Sequence, residues 1–258
     1  MSELLAPDEP APVRVLRKNG PSELFLTADH AGRTIPRGLG QLGLQDHELD
    51  RHIAWDIGIA GVTERLSAAL NATAVLQTYS RLVIDCNRDP TVPSSIPELS
   101  ETTEIPGNRG LSVEQRATRR HGIFEPYHAR IRALLDARQA EDRRTVYVAM
   151  HSFTPVFKGE SRDMQVGVLY NRDVRLAAIM LDLLREERDL TVGDNAPYAV
   201  SDVTDYGVPV HAERRGLAHV EIEIRQDLIA DAPGQRAWAD RLARLLPEAW
   251  RRLAAAAA

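Results

Sequence analysis

Three stretches of the chain end apolar runs in residues able to do chemistry. ELFLTADH closes on Asp29 and His30, SRLVIDCNR carries Arg81, Asp85, Asn87 and Arg88, and TVYVAMHS reaches His151. Runs this rich in β-branched and long aliphatic residues read as buried sheet strands. Ligand and catalytic groups in open α/β sheets gather at the carboxyl ends of such strands. Histidines, carboxylates and arginines delivered to one sheet edge suit a metal-dependent hydrolytic site for an anionic substrate.

Each candidate has a plainer alternative. His30 could ligate a metal with Asp29 orienting its ring, or simply occupy a turn near Gly32. His52 and Asp56 lie four apart on an expected helix, so they share a face and could reach one divalent ion or form a surface ion pair. Asp56 follows Trp55 in apolar surroundings, and an inward carboxylate there needs a partner. His151 matches His30 in position, and two such histidines with a nearby carboxylate meet the three-ligand pattern of catalytic zinc.

On a regular strand, Arg81, Asp85 and Asn87 would point to one face. Arg81 and Arg88 suit a substrate bearing acidic groups, with an internal Arg81–Asp85 pair as the alternative. Glu221 and Glu223 alternate along HVEIEIR, which is unexpected in a core strand. One of them could act as general base beside an activated water, or both could face solvent from an edge strand. His121 and His128, seven apart, read as helix-surface residues. No P-loop, HExxH or GxSxG motif supports a phosphate-loop, zincin or serine-hydrolase reading.

The elements needed to position these residues are legible as patterns. A strand is expected near 24–28, a helix over 46–70, strands at ATAVLQT and RLVID, and a long helix from a Ser112/Gln115 capping box to about 139. Pro126 is expected to kink that helix. Further strands fall at TVYVAM, GVLY, LTV and HVEIEI, with helices after Asp173 and over about 235–253. The proline-rich stretch 89–110 reads as a functional or mobile flap.

The sum is an α/β three-layer sandwich, a mixed central sheet flanked by helices, in a single domain over 1–258 with a loose lead-in at 1–12. A net charge of -5, with scattered arginines, gives no support for a nucleic-acid partner. The one cysteine, Cys86, excludes a disulfide framework and reads as a packed residue. Without a signal-like N-terminus or a membrane-length apolar run, the expected location is cytoplasmic, with no membrane partner.

Taken together, ADHAGRTIPRGLGQLGL, RHIAWDIGIAG, YSRLVIDCNR, HSFTPV, GVLYNRD, DNAPYAV and EIRQDL resemble the N-formylglutamate amidohydrolase family, over roughly residues 23 to 230. The resemblance implies a zinc-dependent amidohydrolase with a carboxypeptidase-like fold. Its expected substrate is a small anionic N-acyl amino acid, as in release of formate from N-formylglutamate during histidine degradation. Carried onto this chain, it makes His30, Asp56 and His151 ligands of one Zn2+. Arg81, Arg88 and Asn87 become substrate-binding residues and Glu223 the catalytic carboxylate, with Arg81 also near the oxyanion. The loop from Asn195 to Tyr198 is expected to close over the site, with Asn195 touching substrate.

Overall fold

The apolar runs pair into one mixed seven-stranded sheet in the computed structural model, which describes residues 3–256. Its strands are β1 (Val13–Leu16), β2 (Leu24–Ala28), β3 (Thr73–Gln77), β4 (Val146–Phe153), β5 (Val166–Leu169), β6 (Val192–Asp194) and β7 (Ala218–Arg225). Their spatial order is β1-β3-β2-β4-β7-β5-β6. β3, β2, β4 and β7 run parallel, while β1, β5 and β6 run the other way. The helices are α1 (Asp46–Leu49), α2 (Ile59–Leu70), α3 (Val113–Arg119), α4 (Glu125–Ala140), α5 (Arg175–Arg185) and α6 (Ala232–Ala256).

Strand alternation separates two cores. Leu26, Val148 and Ile222 pack on one face against Val62 and Leu66 of α2, Met180 of α5 and Leu242 of α6. Phe25, Val75 and Tyr147 pack on the other against Tyr127, Ile131 and Leu135 of α4. The fold is therefore the expected mixed α/β sheet with helices on both flanks. Among the described residues no helix is long and apolar enough to cross a membrane.

Several local expectations fail for identifiable reasons. The helix expected over 46–70 is broken: α1 covers one turn, 50–58 is irregular, and α2 starts only after Gly58. Gly58 has φ +82, and a Cβ there would lie 2.1 Å from the Ile229 carbonyl oxygen, so this sharp entry requires glycine. RLVID is not a strand but a series of turns. Ser80 Oγ accepts the Leu82 N–H (3.1 Å) and Asp85 Oδ1 the Asn87 N–H (2.8 Å), so side chains satisfy the backbone in place of a ladder. Leu82, Val83 and Ile84 are buried by the second core instead.

The stretch 89–110 is structured, with a small hairpin at Leu99–Ser100 and Thr103–Glu104. Its tip is tied down by Glu101, which accepts from Arg51 Nη2 (2.6 Å) and from the Lys158 N–H (3.1 Å). β1 lies beyond the expected lead-in, and Tyr79 OH anchors that lead-in by donating to the Pro10 carbonyl (2.7 Å). The Ser112/Gln115 capping box forms as read. A π-helical turn, Arg120–Phe124, then precedes α4 and Pro126. It shifts the helix phase, so His121 stays exposed while His128 is fully buried.

Candidate active site

β2, β4 and β7 lie side by side at the middle of the sheet, so their carboxyl ends share one edge. Along β7, Val220, Ile222 and Ile224 enter the first core, which turns Glu221 and Glu223 to the opposite face. His151 is the register partner of Glu223 and shares that face. β7 pairs with β4 on one side and β5 on the other, so its glutamates stand on an interior strand and not a solvated edge.

Two connections complete the site. The Asp56 N–H donates to the His30 carbonyl (2.9 Å), while the Ala54 carbonyl accepts the Arg81 N–H (3.3 Å) and Ser80 Oγ (2.7 Å). The loops carrying Asp56 and Arg81 are thereby stitched to the end of β2. Asp56 then lies between the imidazoles, with Oδ1 3.5 Å from His30 Nδ1 and Oδ2 3.0 Å from His151 Nδ1. One donor atom from each of His30, Asp56 and His151 lies within 4.8 Å of the other two, and all three residues are buried.

Asp85 sets the other side of His30. Its Oδ1 faces His30 Nε2 at 2.7 Å and accepts the Asn87 N–H, while Oδ2 accepts from Arg81 Nη2 at 2.7 Å. Read from this network, the His30 proton sits on Nε2 and the Nδ1 lone pair faces Asp56. His30 Nδ1 has no hydrogen-bond partner. Tetrahedral zinc, with bonds of about 2.0–2.1 Å, spaces its ligands roughly 3.3 Å apart. Two imidazoles and a carboxylate are donors suited to zinc, and the unpartnered His30 Nδ1 faces the group that would hold it.

Burial acts to raise the Asp56 carboxyl, but the two histidines outweigh it and hold it below the ordinary carboxylate range. Asp85 is likewise held well down, with Arg81 and His30 overcoming burial. Glu223 behaves oppositely. Burial pushes it well up against the attraction of His151, with Asp56 and Glu221 adding repulsion. Glu221 is pushed up to about 7, chiefly by burial. Glu223 Oε2 and Glu221 Oε2 are buried without partners.

These residues floor a cleft of about 460 Å3, also lined by Arg88, Asn87, Tyr198 and Phe157. The family model for N-formylglutamate amidohydrolase matches residues 22–230. The chain belongs to that family. Its fold is similar to that of a gene product from Agrobacterium tumefaciens, with a TM-score of 0.94 and 39% identity over 97% of this chain and 99% of that one. It is also similar in fold to N-formylglutamate amidohydrolase from Ralstonia eutropha, with a TM-score of 0.68 and 20% identity over 93% and 98% of the two chains. No functionally curated protein matches the sequence.

Of the residues read from the sequence, His30, Asp56, Arg81, Asn87, Arg88, His151 and Glu223 all meet in the cleft. Asn195 does not line it, because its Oδ1 accepts the Tyr170 N–H (2.9 Å). The side chain of Asn87 is taken up in bracing the 205–207 turn, donating to Asp205 and accepting from the Tyr206 and Gly207 N–H groups. His52 lies at the rim, 3.4 Å from Glu101 and outside the metal-type cluster. Asp29 points behind it and accepts from Tyr127 OH.

Sequence reasoning missed the bond from Asp85 to His30, and its signal was an acidic residue two positions before Asn87 in the same motif. Glu221, read as an alternative to Glu223, and Tyr198, at the end of the loop expected over the site, both line the cleft. Cys86 is a buried packing residue, as read, with its Sγ accepting from Gln77 Nε2 (3.1 Å).

Proposed function

We propose that the protein is a zinc-dependent hydrolase of the amide bond in a small N-acylated acidic amino acid, foremost N-formylglutamate, releasing formate and glutamate. The observation that carries this reading is the buried His30–Asp56–His151 cluster beside an unpartnered glutamate, in a chain of the amidohydrolase family. His30, Asp56 and His151 would hold the ion, which supplies Lewis-acid polarisation of the amide carbonyl and makes water nucleophilic at neutral pH.

The remaining work falls to the chain's own residues. Glu223 Oε2, buried and without a partner, takes the proton from the attacking water and returns it to the departing amine nitrogen. Arg81 spends Nη2 on Asp85, leaving Nη1, 3.6 Å from Asp56, to face the developing oxyanion. Arg88 lines the cleft without an ion-pair partner among the described residues and receives the substrate α-carboxylate. Asp85 keeps His30 in the tautomer that ligates.

Formate release from N-formyl-L-glutamate, measured with zinc-loaded and chelator-treated protein, tests the reading. Wild type is expected to turn over only when loaded, and Glu223→Gln to lose at least about 100-fold in kcat. Equal formate release by E223Q and wild type would remove the proposed base. A longer acyl group is a second reading, favoured by a cleft of about 460 Å3 that Ile53, Phe153 and Phe157 make apolar on one side. An acyl-chain series on L-glutamate separates the two.

A further inference from the structure

A second guanidinium without a carboxylate partner among the described residues packs against aromatic rings that line this cleft. Arg162 follows the small Val156–Phe157/Glu160–Ser161 hairpin, and its guanidinium lies 4.8 Å from the ring centres of Phe157 and Tyr198 and 5.9 Å from that of Phe153. All three rings line the cleft. Its Nη1 donates to Tyr198 OH at 2.9 Å. A guanidinium carries five N–H donors, and this is the single protein hydrogen bond from the Arg162 side chain among the described residues. No carboxylate pairs with it there.

The contrast with Arg81 is instructive, since that residue is neutralised by Asp85. A cation held against three ring faces loses little further freedom on meeting an anion, so it is preorganised for one. Because Tyr198 OH accepts from Arg162, its own proton is left to donate elsewhere. Burial raises the hydroxyl above its ordinary value, so the proton is retained at neutral pH.

We infer that Arg162 and Tyr198 form the subsite for the side-chain carboxylate of the substrate, and so select acidic over neutral N-acyl amino acids. The chemistry of the substrate fixes the assignment. The α-carboxyl carbon is two bonds from the scissile nitrogen and belongs beside the centre, where Arg88 follows Asn87 and Asp85. The side-chain carboxyl carbon of glutamate is four bonds away and reaches outward, to the rim where Tyr198 is 43% exposed. Tyr198 touches substrate, and Arg162 both touches it and fixes the Tyr198 hydroxyl.

This inference rests on the amidohydrolase reading, and its test separates the two. Binding of N-acetyl-L-glutamate and N-acetyl-L-glutamine is measured by calorimetry on zinc-loaded protein, alongside kcat/KM for the corresponding formyl compounds. Wild type is expected to prefer the glutamate probe at least about tenfold, and R162Q and Y198F each to cut that preference several-fold, weakening the glutamate probe more than the glutamine probe. R162K is expected to recover part of it. A glutamate-to-glutamine ratio unchanged in both variants, or absent in wild type, overturns the subsite whether or not formate is released. A ratio that collapses as expected in a protein that hydrolyses neither compound upholds the subsite and removes the proposed reaction.

Discussion

Replacing Asp85 by asparagine should weaken zinc binding although Asp85 lies outside the His30–Asp56–His151 cluster. The carboxylate receives three donors: His30 Nε2 at 2.7 Å, Arg81 Nη2 at 2.7 Å and the Asn87 N–H at 2.8 Å. An amide of the same shape has one acceptor oxygen. If that oxygen serves His30 and Asn87, the amide NH2 meets Arg81, donor against donor. If it turns the other way, NH2 meets His30 Nε2 and drives the ring proton to Nδ1, the atom facing Asp56. Either way one bond to a charged partner is lost, at about 1.5–3 kcal/mol. Loss of a partner behind a metal-ligating histidine typically costs 10–100-fold in affinity, about 1.4–2.7 kcal/mol, so the two estimates agree. The assay is zinc competition against a chromogenic chelator, with the urea midpoint as a control for folding. A zinc Kd for D85N within about twofold of wild type would refute the account of His30 as a ligand oriented by Asp85.

Two further outcomes concern stability. His128 Nε2 donates to the Cys86 carbonyl (2.9 Å) and its Nδ1 accepts from His211 Nε2 (2.8 Å); burial holds His128 well below its ordinary value and His211 down at about 3, with Arg132, Arg214 and Arg215 adding repulsion at His211. The unfolded chain therefore binds more protons below about pH 6.5, and stability falls as pH drops towards 3, by about 1.4 kcal/mol per unit for each ring. Between pH 6.5 and 4.5, metal-free wild type should lose about 2–3 kcal/mol more than H211Q in urea unfolding, and equal losses would contradict the neutral pair. Gly58→Ala forces a Cβ against the Ile229 carbonyl at positive φ and should cost about 1–3 kcal/mol, read as a lower Tm; an unchanged Tm would show that the Asp56 loop tolerates another path.

How much of this was legible in the sequence depends on what satisfies the backbone. β2, β4 and β7 were readable because their apolar runs pair in a ladder, and the site-bearing ends followed from the strand-end rule. Arg81 to Arg88 was misread because Leu82, Val83 and Ile84 look like a strand while Ser80 and Asp85 close turns with their own side chains. The pairing of Arg81 with Asp85 survived that error, since a turn also brings i and i+4 together. His52 and Asp56 were placed on one helix by periodicity, and Gly58 is the residue that argued otherwise. His128 was read as surface because helical spacing assumes unbroken phase, which the π turn at 120–124 breaks.

Charge balance supports a cation at this centre independently of ligand spacing. Asp29, Asp56, Asp85, Glu221 and Glu223 are buried together around His30 and His151, and Arg81 is the guanidinium that pairs with them directly. Buried carboxylates without partners are costly, so such a group must gain a positive neighbour or keep its proton. Asp29, Glu221 and Glu223 are all raised, burial leading in each case. Both imidazoles are raised as well, although burial opposes it, because the carboxylates around them demand positive charge. A divalent ion held by His30, Asp56 and His151 would meet the same demand in place of protons. Zinc binding should therefore release protons at neutral pH, and potentiometric titration that records none would mean this electrostatic strain is relieved in some other way.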